Sequence, residues 1–156
     1  MSRTDYYHEP NAPAPTSIVI AVSVFTLDDA GRLLVIRRAD NNRYAIPGGR
    51  HELGETMTET AVREVEEETG ITVEITGLIG IYSDPGHIIS YSDGAVRQEF
   101  SICFRGSPIS GEPRTSEEST EVRWVERNEL DSLDIDPYIQ TRIDHGFAHR
   151  AEPHYT

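Results

Sequence analysis

The sequence has no lysine, a single cysteine and no long apolar run. All 14 of its basic residues are arginines. We attribute the absence of lysine to genomic codon usage; the alternative is a use of guanidinium groups for bidentate contacts to phosphate. Because Cys103 has no second cysteine to pair with, an internal disulfide and a multi-cysteine metal site are excluded. Its neighbours Ile102 and Phe104 indicate a packing residue in a strand rather than a nucleophile.

Signals for a membrane or for export are also lacking. No run approaches the roughly 18 apolar residues that a membrane helix needs. The first 16 residues are polar and interrupted by proline, where a signal peptide would be basic and then apolar. Together with the single cysteine, this predicts a cytoplasmic protein in a reducing compartment, with no membrane partner.

Acidic residues are abundant, and 27 of them give a net charge of −13. This charge opposes binding to other polyanions, so we expect no long nucleic acid as a partner. The length of 156 residues is that of one ordinary domain. We expect a flexible N-terminal segment over residues 1–15 and a single domain over residues 16–156.

Apolar and β-branched segments predict a sheet. Residues 17–26 and 33–37 flank the turn-forming segment 27–32, and we predict that they form a hairpin. Further strands are predicted, in chain order, at residues 44–48, 77–83, 96–104 and 121–126. A mixed or largely antiparallel sheet follows.

Two helices are predicted. Thr56 and Glu59 have the spacing of a capping box, and Gly70 that of a C-terminal stop, which indicates a helix from about Met57 to Thr69. A second helix over residues 137–148 carries an apolar residue at every fourth position. We expect this stripe to pack on the sheet: Ile139, Ile143 and Phe147.

The first predicted helix concentrates negative charge on one face. At about 100° per residue, Glu64, Glu67 and Glu68 share one arc. Like charges three and four residues apart destabilise a helix by roughly a few tenths of a kcal/mol per pair. Arg63 can supply one counter-charge, but a hard divalent cation such as Mg²⁺ or Mn²⁺ suits carboxylate oxygens better. A solvated acidic face is the alternative that charge alone leaves open.

The spacing around this cluster resembles the signature of the Nudix hydrolase family. That signature runs Gly, five residues, Glu, seven residues, then Arg-Glu-apolar-any-Glu-Glu-any-Gly-apolar. It is met without departure by Gly49, Glu55, Arg63, Glu64, Val65, Glu67, Glu68, Gly70 and Ile71. The predicted strands on either side follow the family's order, so the resemblance covers most of residues 17–131.

The resemblance implies an α+β fold, a Nudix-type α/β/α sandwich with a mixed β-sheet. It implies hydrolysis of a nucleoside diphosphate linked to another group, with Mg²⁺ or Mn²⁺ as cofactor. The implied metal ligands are also catalytic residues: Glu64, Glu67 and Glu68. Glu64 is our first choice for the general base, and the backbone carbonyl of Gly48 is a further candidate ligand. Arg63, assigned to the catalytic set, would orient the glutamates by pairing, with Glu55 as its expected partner.

Some family members add a carboxylate from the loop before the last strand. In this chain that loop, residues 116–122, contributes Glu117, Glu118 and Glu121. We choose Glu118 as a fourth metal ligand, with Glu99 as its rival. His145 and His149 lie four residues apart on the second helix, and we interpret them as a solvent-facing pair rather than as metal ligands.

Three residues are assigned to substrate binding: Arg50, Tyr82 and Arg97. Base and sugar selectivity would come from the loop over residues 82–98 and from the predicted hairpin. Pro85 lies near the proline position of ADP-ribose-type family members, although a proline after a strand is also an ordinary turn signal. The expected partner is a small nucleoside diphosphate derivative, either a nucleoside triphosphate or a nucleotide sugar such as ADP-ribose. A homodimer is compatible with these expectations.

Two other functions stay open. Some proteins with this fold sense a nucleotide without cleaving it, and they typically lose one or more glutamates that this chain retains. Isomerase chemistry on a diphosphate-bearing isoprenoid needs catalytic groups that the sequence does not indicate. We therefore expect a hydrolase, with a non-catalytic nucleotide-sensing regulatory domain as the alternative.

Overall fold

The computed structural model describes residues 2–156. Within them the strands are β1 (Arg3–Tyr7), β2 (Ser17–Thr26), β3 (Leu33–Arg38), β4 (Tyr44–Ala45), β5 (Gly48–Arg50), β6 (Ile71–Tyr82), β7 (His87–Tyr91), β8 (Val96–Gly111), β9 (Ser119–Val125) and β10 (His154–Tyr155). The α-helices are α1 (Met57–Thr69) and α2 (Pro137–Ala148), and a 3₁₀ helix covers Arg127–Ser132.

Two sheets form the framework. The larger has seven strands, in the order β1-β7-β8-β2-β5, with β6 pairing along the later part of β8 and β10 pairing with β6. The smaller has the order β4-β3-β9. In the larger sheet β2 runs parallel to β8, and β10 runs parallel to β6, whereas the remaining pairs are antiparallel. The predicted α+β class and mixed sheet are confirmed.

Helix α1 has the ends that its sequence predicts. The Thr56 hydroxyl accepts a hydrogen bond from the backbone N–H of Glu59, and the Glu59 carboxylate accepts one from the N–H of Thr56. At the other end Gly70 has φ of 75°, in the left-handed region where a side chain would be strained. Its N–H donates to the carbonyl of Glu66 and closes the helix.

The two α-helices lie on opposite faces of β2, because successive side chains of a strand point to opposite sides. Val24 packs with Ala61 and Val65 of α1. Phe25 packs with Ile143 of α2. The expected packing of α2 on the sheet is confirmed. In residues 2–156 no helix combines the length and the apolar character needed to span a membrane.

Cys103 lies in the cluster beneath α2 and is completely buried. Burial raises the pKa of its thiol, which favours the protonated, unreactive form. The predicted role of Cys103 as a packing residue is therefore confirmed.

The predicted hairpin between residues 17–26 and 33–37 is wrong. The turn itself forms, since the Asp28 carboxylate accepts hydrogen bonds from the N–H groups of Ala30 and Arg32. After a single bridge between Leu27 and Leu33, however, β2 and β3 separate into different sheets. Both edges of β2 are taken by β5 and β8, so β3 pairs with β4 and β9 instead.

The single strand predicted at residues 44–48 is divided between the sheets. Tyr44 and Ala45 pair with β3 in the smaller sheet. After Ile46 and Pro47, residues 48–50 pair with β2 in the larger sheet. This crossing brings the two glycines of β5 to the sheet edge beside α1.

The N-terminal segment predicted to be flexible contains a strand. Residues 3–7 pair antiparallel with β7 over their whole length and extend the large sheet. The sequence "RTDYY" has no apolar alternation, so the strand depends on a tertiary partner that local reasoning does not see. The expectation of a flexible segment over residues 1–15 is not met at residues 3–7.

Candidate active site

A cleft of about 620 Å³ lies over the face of the large sheet that is opposite to α1. It begins at the edge strand β5 and extends to β1 at the other edge. Its floor includes Gly48, Val19, Ser101 and Ile89, from β5, β2, β8 and β7. Its volume is within the range of pockets that hold small molecules and cofactors.

Three carboxylates meet at the β5 end of the cleft. Glu64, Glu68 and Glu118 each place an oxygen so that these atoms lie within 4.8 Å of one another. Glu64 and Glu68 are one helical turn apart on α1 and are 7% and 4% exposed, whereas Glu118 is exposed. Of the four predicted metal-binding glutamates, the structure brings these three together.

The turn before β9 delivers Glu118 to the helix. The Ser119 hydroxyl donates a hydrogen bond of 2.6 Å to the carbonyl of Glu68, which attaches the turn to the last part of α1. The Ser116 hydroxyl accepts from the N–H groups of Glu118 and Ser119. On the other side the Glu118 carbonyl accepts from the N–H of Ala39. Through these bonds Glu118 reaches the end of α1, although 50 residues separate it from Glu68 in the chain.

Glycines in β5 allow α1 to approach the sheet. A Cβ atom at Gly49 would lie 2.4 Å from the carboxyl carbon of Glu64, a distance that real contacts do not allow. A Cβ atom at Gly48 would lie 2.2 Å from the carbonyl oxygen of Val22, so this glycine allows β5 to approach β2 rather than α1. The N–H of Gly48 donates to the Glu68 carboxylate at 3.3 Å. Gly48, predicted as a ligand through its carbonyl, thus contacts the carboxylate group through its amide.

The carboxylates carry a negative charge that the protein compensates poorly. Burial raises the pKa of Glu68 well above its ordinary value, and the nearby charge of Glu64 raises it further. Among the ion pairs formed by residues 2–156, none includes Glu68. Burial also raises the pKa of Glu64, although Arg63 opposes this. A buried charge without a counter-ion is costly, which indicates a site that accepts a cation.

Arg63 links the helix to the preceding loop. Its Nη2 donates to Glu55 Oε2 at 3.0 Å, and its Nη1 donates to Glu64 Oε1 at 2.8 Å. The predicted pairing with Glu55 is therefore present. The same Nη1 donates to Glu67 at 3.2 Å, and the Glu67 side chain is 59% exposed. Glu67 lies outside the group of three because α1 turns that side chain toward solvent.

Glu99, the predicted rival of Glu118, belongs to a different set of charges. It is buried and accepts from His87 Nδ1 at 2.9 Å, with Arg142 Nη2 3.6 Å away. His87 Nε2 in turn contacts Asp5 at 3.1 Å. Burial raises the pKa of Glu99, but His87 and Arg142 outweigh it and bring the pKa below its ordinary value. Glu99 lines the cleft as a neutralised charge.

The three predicted substrate-binding residues have different positions. Arg50 lines the cleft at the β5 end. Tyr82 is buried in the core, where its hydroxyl contacts His145 Nδ1 at 2.7 Å. Arg97 lies over the ring of Tyr91, with 5.5 Å from its guanidinium carbon to the ring centre. Tyr82 does not line the cleft because α2 covers it. Arg97 does not line the cleft either, although it lies on the same face of β8 as Glu99, against the lining residue Tyr91.

The predicted solvent-facing histidine pair does not form. His149 is exposed at the end of α2, but His145 is half-buried and stacks on His154, with ring centres 3.5 Å apart. The C-terminal strand β10 carries His154 to this position.

Several cleft residues had no signal in the sequence. They are Arg3, Arg38, Tyr138 and Arg142, which line the cleft away from the carboxylates. They come from β1, β3 and α2, which are distant in the chain, and none belongs to a recognisable motif. Only the packing of both sheets and α2 assembles them.

Solved structures share this fold. A NUDIX hydrolase from Nitrosomonas europaea gives a TM-score of 0.73, with 92% of this chain and 78% of that chain covered at 23% identity. The MutT protein from Methanosarcina mazei Go1 gives a TM-score of 0.70, with 90% of this chain and 100% of that chain covered at 21% identity. These similarities confirm the predicted Nudix-type α/β/α sandwich.

Sequence relatives are closer. A MutT-like protein from Streptomyces ambofaciens is 36% identical over 140 residues, which cover 89% of this chain and 84% of the relative. An ADP-ribose pyrophosphatase from Methanocaldococcus jannaschii is 33% identical over 118 residues, which cover 70% of this chain and 63% of the relative. The sequence model of the NUDIX domain matches residues 18–144. Since that match extends over most of the sequence, the chain belongs to the Nudix hydrolase family.

Proposed function

We propose that this protein hydrolyses a phosphoanhydride bond in a nucleoside diphosphate linked to another group, in a reaction that depends on Mg²⁺ or Mn²⁺. The observation that carries this proposal is the convergence of Glu64, Glu68 and Glu118 within 4.8 Å at one end of a cleft. The substrate would be a nucleoside triphosphate or a nucleotide sugar such as ADP-ribose.

The donor set suits a hard divalent cation. All three side chains offer carboxylate oxygens, the ligands that Mg²⁺ and Mn²⁺ prefer. The raised pKa of Glu68 and its lack of an ion-pair partner among residues 2–156 mean that a bound cation would relieve a buried charge. Such a cation supplies Lewis-acid polarisation of phosphoryl oxygens and lowers the pKa of an attacking water.

The side chains take separate roles in this proposal. Glu64, Glu68 and Glu118 hold the cation, with the Gly48 N–H fixing one oxygen of Glu68. Glu64 is the proposed general base, and its Oε2, which Arg63 leaves free, accepts the proton of water. Without a bound cation, burial raises the pKa of Glu64.

Arg63 and Glu67 support the group from its solvent side. Because Arg63 Nη1 contacts both Glu64 and Glu67, it holds the two carboxylates beside each other. Its contact with Glu55 fixes the guanidinium plane. We propose that Glu67 contributes through this link, with a smaller effect on catalysis than Glu64 or Glu68. Arg50, at the same end of the cleft, is proposed to contact the substrate.

The names of relatives support a small nucleotide as substrate. Besides the MutT-like protein and the ADP-ribose pyrophosphatase, a putative 8-oxo-dGTP diphosphatase from Bacillus subtilis is 31% identical over 108 residues. The net charge of −13 disfavours long nucleic acids, so we propose a soluble small-molecule substrate. We further propose a cytoplasmic location, in keeping with the single buried cysteine.

The test is incubation with a panel of nucleoside triphosphates, nucleotide sugars and dinucleoside polyphosphates, with Mg²⁺ or Mn²⁺, followed by product identification. We expect turnover of at least one compound, its loss with a chelator, and its recovery when the metal is restored. Nucleotide binding without turnover under either metal would contradict the proposal and favour the regulatory sensor.

A further inference from the structure

The cleft crosses the entire width of the large sheet, so its two ends are far apart. The carboxylate end lies at β5 and the other end at β1, and the strand order β1-β7-β8-β2-β5 separates them by four strand spacings. At about 4.8 Å per spacing this is about 19 Å of sheet. A diphosphate held at the carboxylates therefore leaves room in the cleft for another part of the substrate.

The N-terminal strand forms the wall at the far end. In its register with β7, Arg3 lies opposite Tyr91, and Asp5 opposite Ile89. Because alternate residues of a strand share one face, Arg3 and Asp5 lie on the cleft side of the sheet. Arg3, Ile89 and Tyr91 line the cleft. This strand lies before residue 18, where the NUDIX sequence match begins.

The guanidinium of Arg3 is held in a fixed orientation. Its Nε and Nη2 donate to the two oxygens of Asp5 at 3.0 and 2.7 Å, which leaves the Nη1 donors without a role in that pair. The Arg3 side chain is 26% exposed, so a ligand in the cleft can reach it. Arg38 Nη2 lies 4.0 Å from the same Asp5 carboxylate and adds further donors.

The rest of this end is aromatic and apolar. Tyr138, Ile36, Ile89 and Val19 line it, and the Tyr138 hydroxyl accepts from Arg38 Nη1 at 3.2 Å. Around this end Arg3, Arg38, Arg142 and His87 are paired with Asp5, Asp40 and Glu99. Four cations against three carboxylates leave only about one positive charge, which is a weak attraction for a second phosphate. A flat apolar group with hydrogen-bond acceptors along its edge matches these surroundings, and a nucleobase is such a group.

We infer that Arg3, with Arg38 beside it, binds the acceptor edge of the substrate's nucleobase, and that the N-terminal strand is a specificity element of the active site. This inference rests on the proposed function, because it assumes a diphosphate at the carboxylate end. It assigns the nucleoside to the β1 end of the cleft. Arg3 then selects for the base and has no part in the chemical step.

The experiment uses ligands that the protein cannot cleave. α,β-Methylene nucleoside diphosphates with adenine, guanine, cytosine or uracil are compared with ribose 5-methylenediphosphonate (methylenediphosphonate for short), which has the same phosphonates and the same sugar but no base. Dissociation constants are measured by titration calorimetry in Mg²⁺ for wild type, R3Q and R38Q. The matched control is R32Q, which removes an arginine that also pairs with an aspartate, Asp28, but lies in the turn after β2.

We expect wild type to bind at least one of the nucleotides more tightly than methylenediphosphonate. R3Q should raise the dissociation constant of that nucleotide by about tenfold, which is the effect of losing one charge-assisted hydrogen bond. The dissociation constant of methylenediphosphonate should not change. R38Q should act in the same direction, and R32Q should match wild type. Thermal unfolding of each variant verifies that it is folded, and R38Q provides the test if R3Q is not.

Two results would overturn the inference. One is wild-type affinity of R3Q and R38Q for every nucleotide. The other is an equal loss for nucleotides and methylenediphosphonate, which would reflect a general change in the cleft rather than base recognition. Binding is measured here without turnover, so the two proposals can fail independently. Absence of hydrolysis in the substrate panel would contradict the proposed function, whereas the binding constants test only the role of Arg3 and Arg38.

Discussion

Two sets of buried carboxylates line the same cleft, and they differ in what surrounds them. Glu68 and Glu64 lie beside a third carboxylate, and burial raises the pKa of both. Glu99 lies between His87 and Arg142, which outweigh the effect of burial and lower its pKa. The three glutamates are buried to a similar extent, but the pKa is lowered in Glu99 and raised in Glu64 and Glu68. The compensated set, which consists of Glu99 with His87, Asp5 and Arg142, holds β1, β7, β8 and α2 together. The uncompensated set, which consists of Glu64, Glu68 and Glu118, is suited to bind a cation.

The largest expected effect is on stability at the compensated set. Glu99→Gln leaves His87 and Arg142 without their carboxylate partner, so we expect the free energy of unfolding to fall by about 3–5 kcal/mol. Glu68→Gln, equally buried, removes a repulsive charge and should leave the metal-free protein as stable as wild type or slightly more so. Urea unfolding of both variants without metal makes the comparison. Similar losses in the two would remove the distinction between the sets.

The second effect is on catalysis at the uncompensated set. Glu68→Gln and Glu64→Gln should lower kcat by about 10²-fold or more, as expected when a principal electrostatic contributor is lost. Glu67→Gln should have a smaller effect because its side chain is mostly exposed. Glu66→Gln, exposed on the same helix, is the matched control and should change kcat little. Equal losses at Glu66 and Glu68 would contradict the assignment of α1 faces.

The third effect is the gain in stability when Mg²⁺ binds, which should depend on the uncompensated set and not on the compensated set. When free Mg²⁺ is 100 times its dissociation constant, wild type should gain about 2.7 kcal/mol of stability by mass action. Glu68→Gln should gain much less, whereas the less stable Glu99→Gln should gain as much as wild type. Thermal unfolding with and without Mg²⁺ at matched ionic strength measures these shifts. An identical shift in all three proteins would mean that the carboxylate group does not bind the metal.

The smallest expected effect is the pH dependence of the compensated set. Burial lowers the pKa of His87, but Asp5 and Glu99 outweigh it and raise the pKa to about 8. The stabilisation is fully present below about pH 6.5, the unfolded value, and is lost as pH rises through about 8. We expect a loss of about 2 kcal/mol, from urea unfolding between about pH 6 and pH 9. In His87→Gln this pH-dependent loss should be absent; the same loss in both proteins would exclude His87 as its source.

Local sequence was sufficient for α1. Its capping box and its Gly70 stop involve residues at most four positions apart, so helical geometry alone predicts Met57–Thr69. The same geometry places Glu64 and Glu68 on one face. It also grouped Glu67 with them, whereas in the structure Glu64 and Glu68 are buried beside Glu118 and Glu67 contacts Arg63 and solvent.

Contacts between distant segments were predicted less well. The turn at residues 27–32 is a correct local prediction, but the pairing of β2 depends on β5 and β8, and the hairpin was wrong for that reason. Glu118 was one choice among three glutamates of its loop, and the hydrogen bond from Ser119 to α1 selects it. The substrate-binding prediction at Tyr82 did not account for α2, which covers that side chain. The substrate-binding role of Arg97 stays a prediction.

The sequence by itself determined the helix, its acidic face and the spacing that marks the family, because each depends on a period of 3.6 residues and on caps within one turn. Only the tertiary structure decided which carboxylates converge, and that a polar N-terminal strand forms the far wall of the cleft. The physical reason is that β1 and Glu118 are held by hydrogen bonds to segments about 50 or more residues away. Such contacts leave no periodic pattern in the chain.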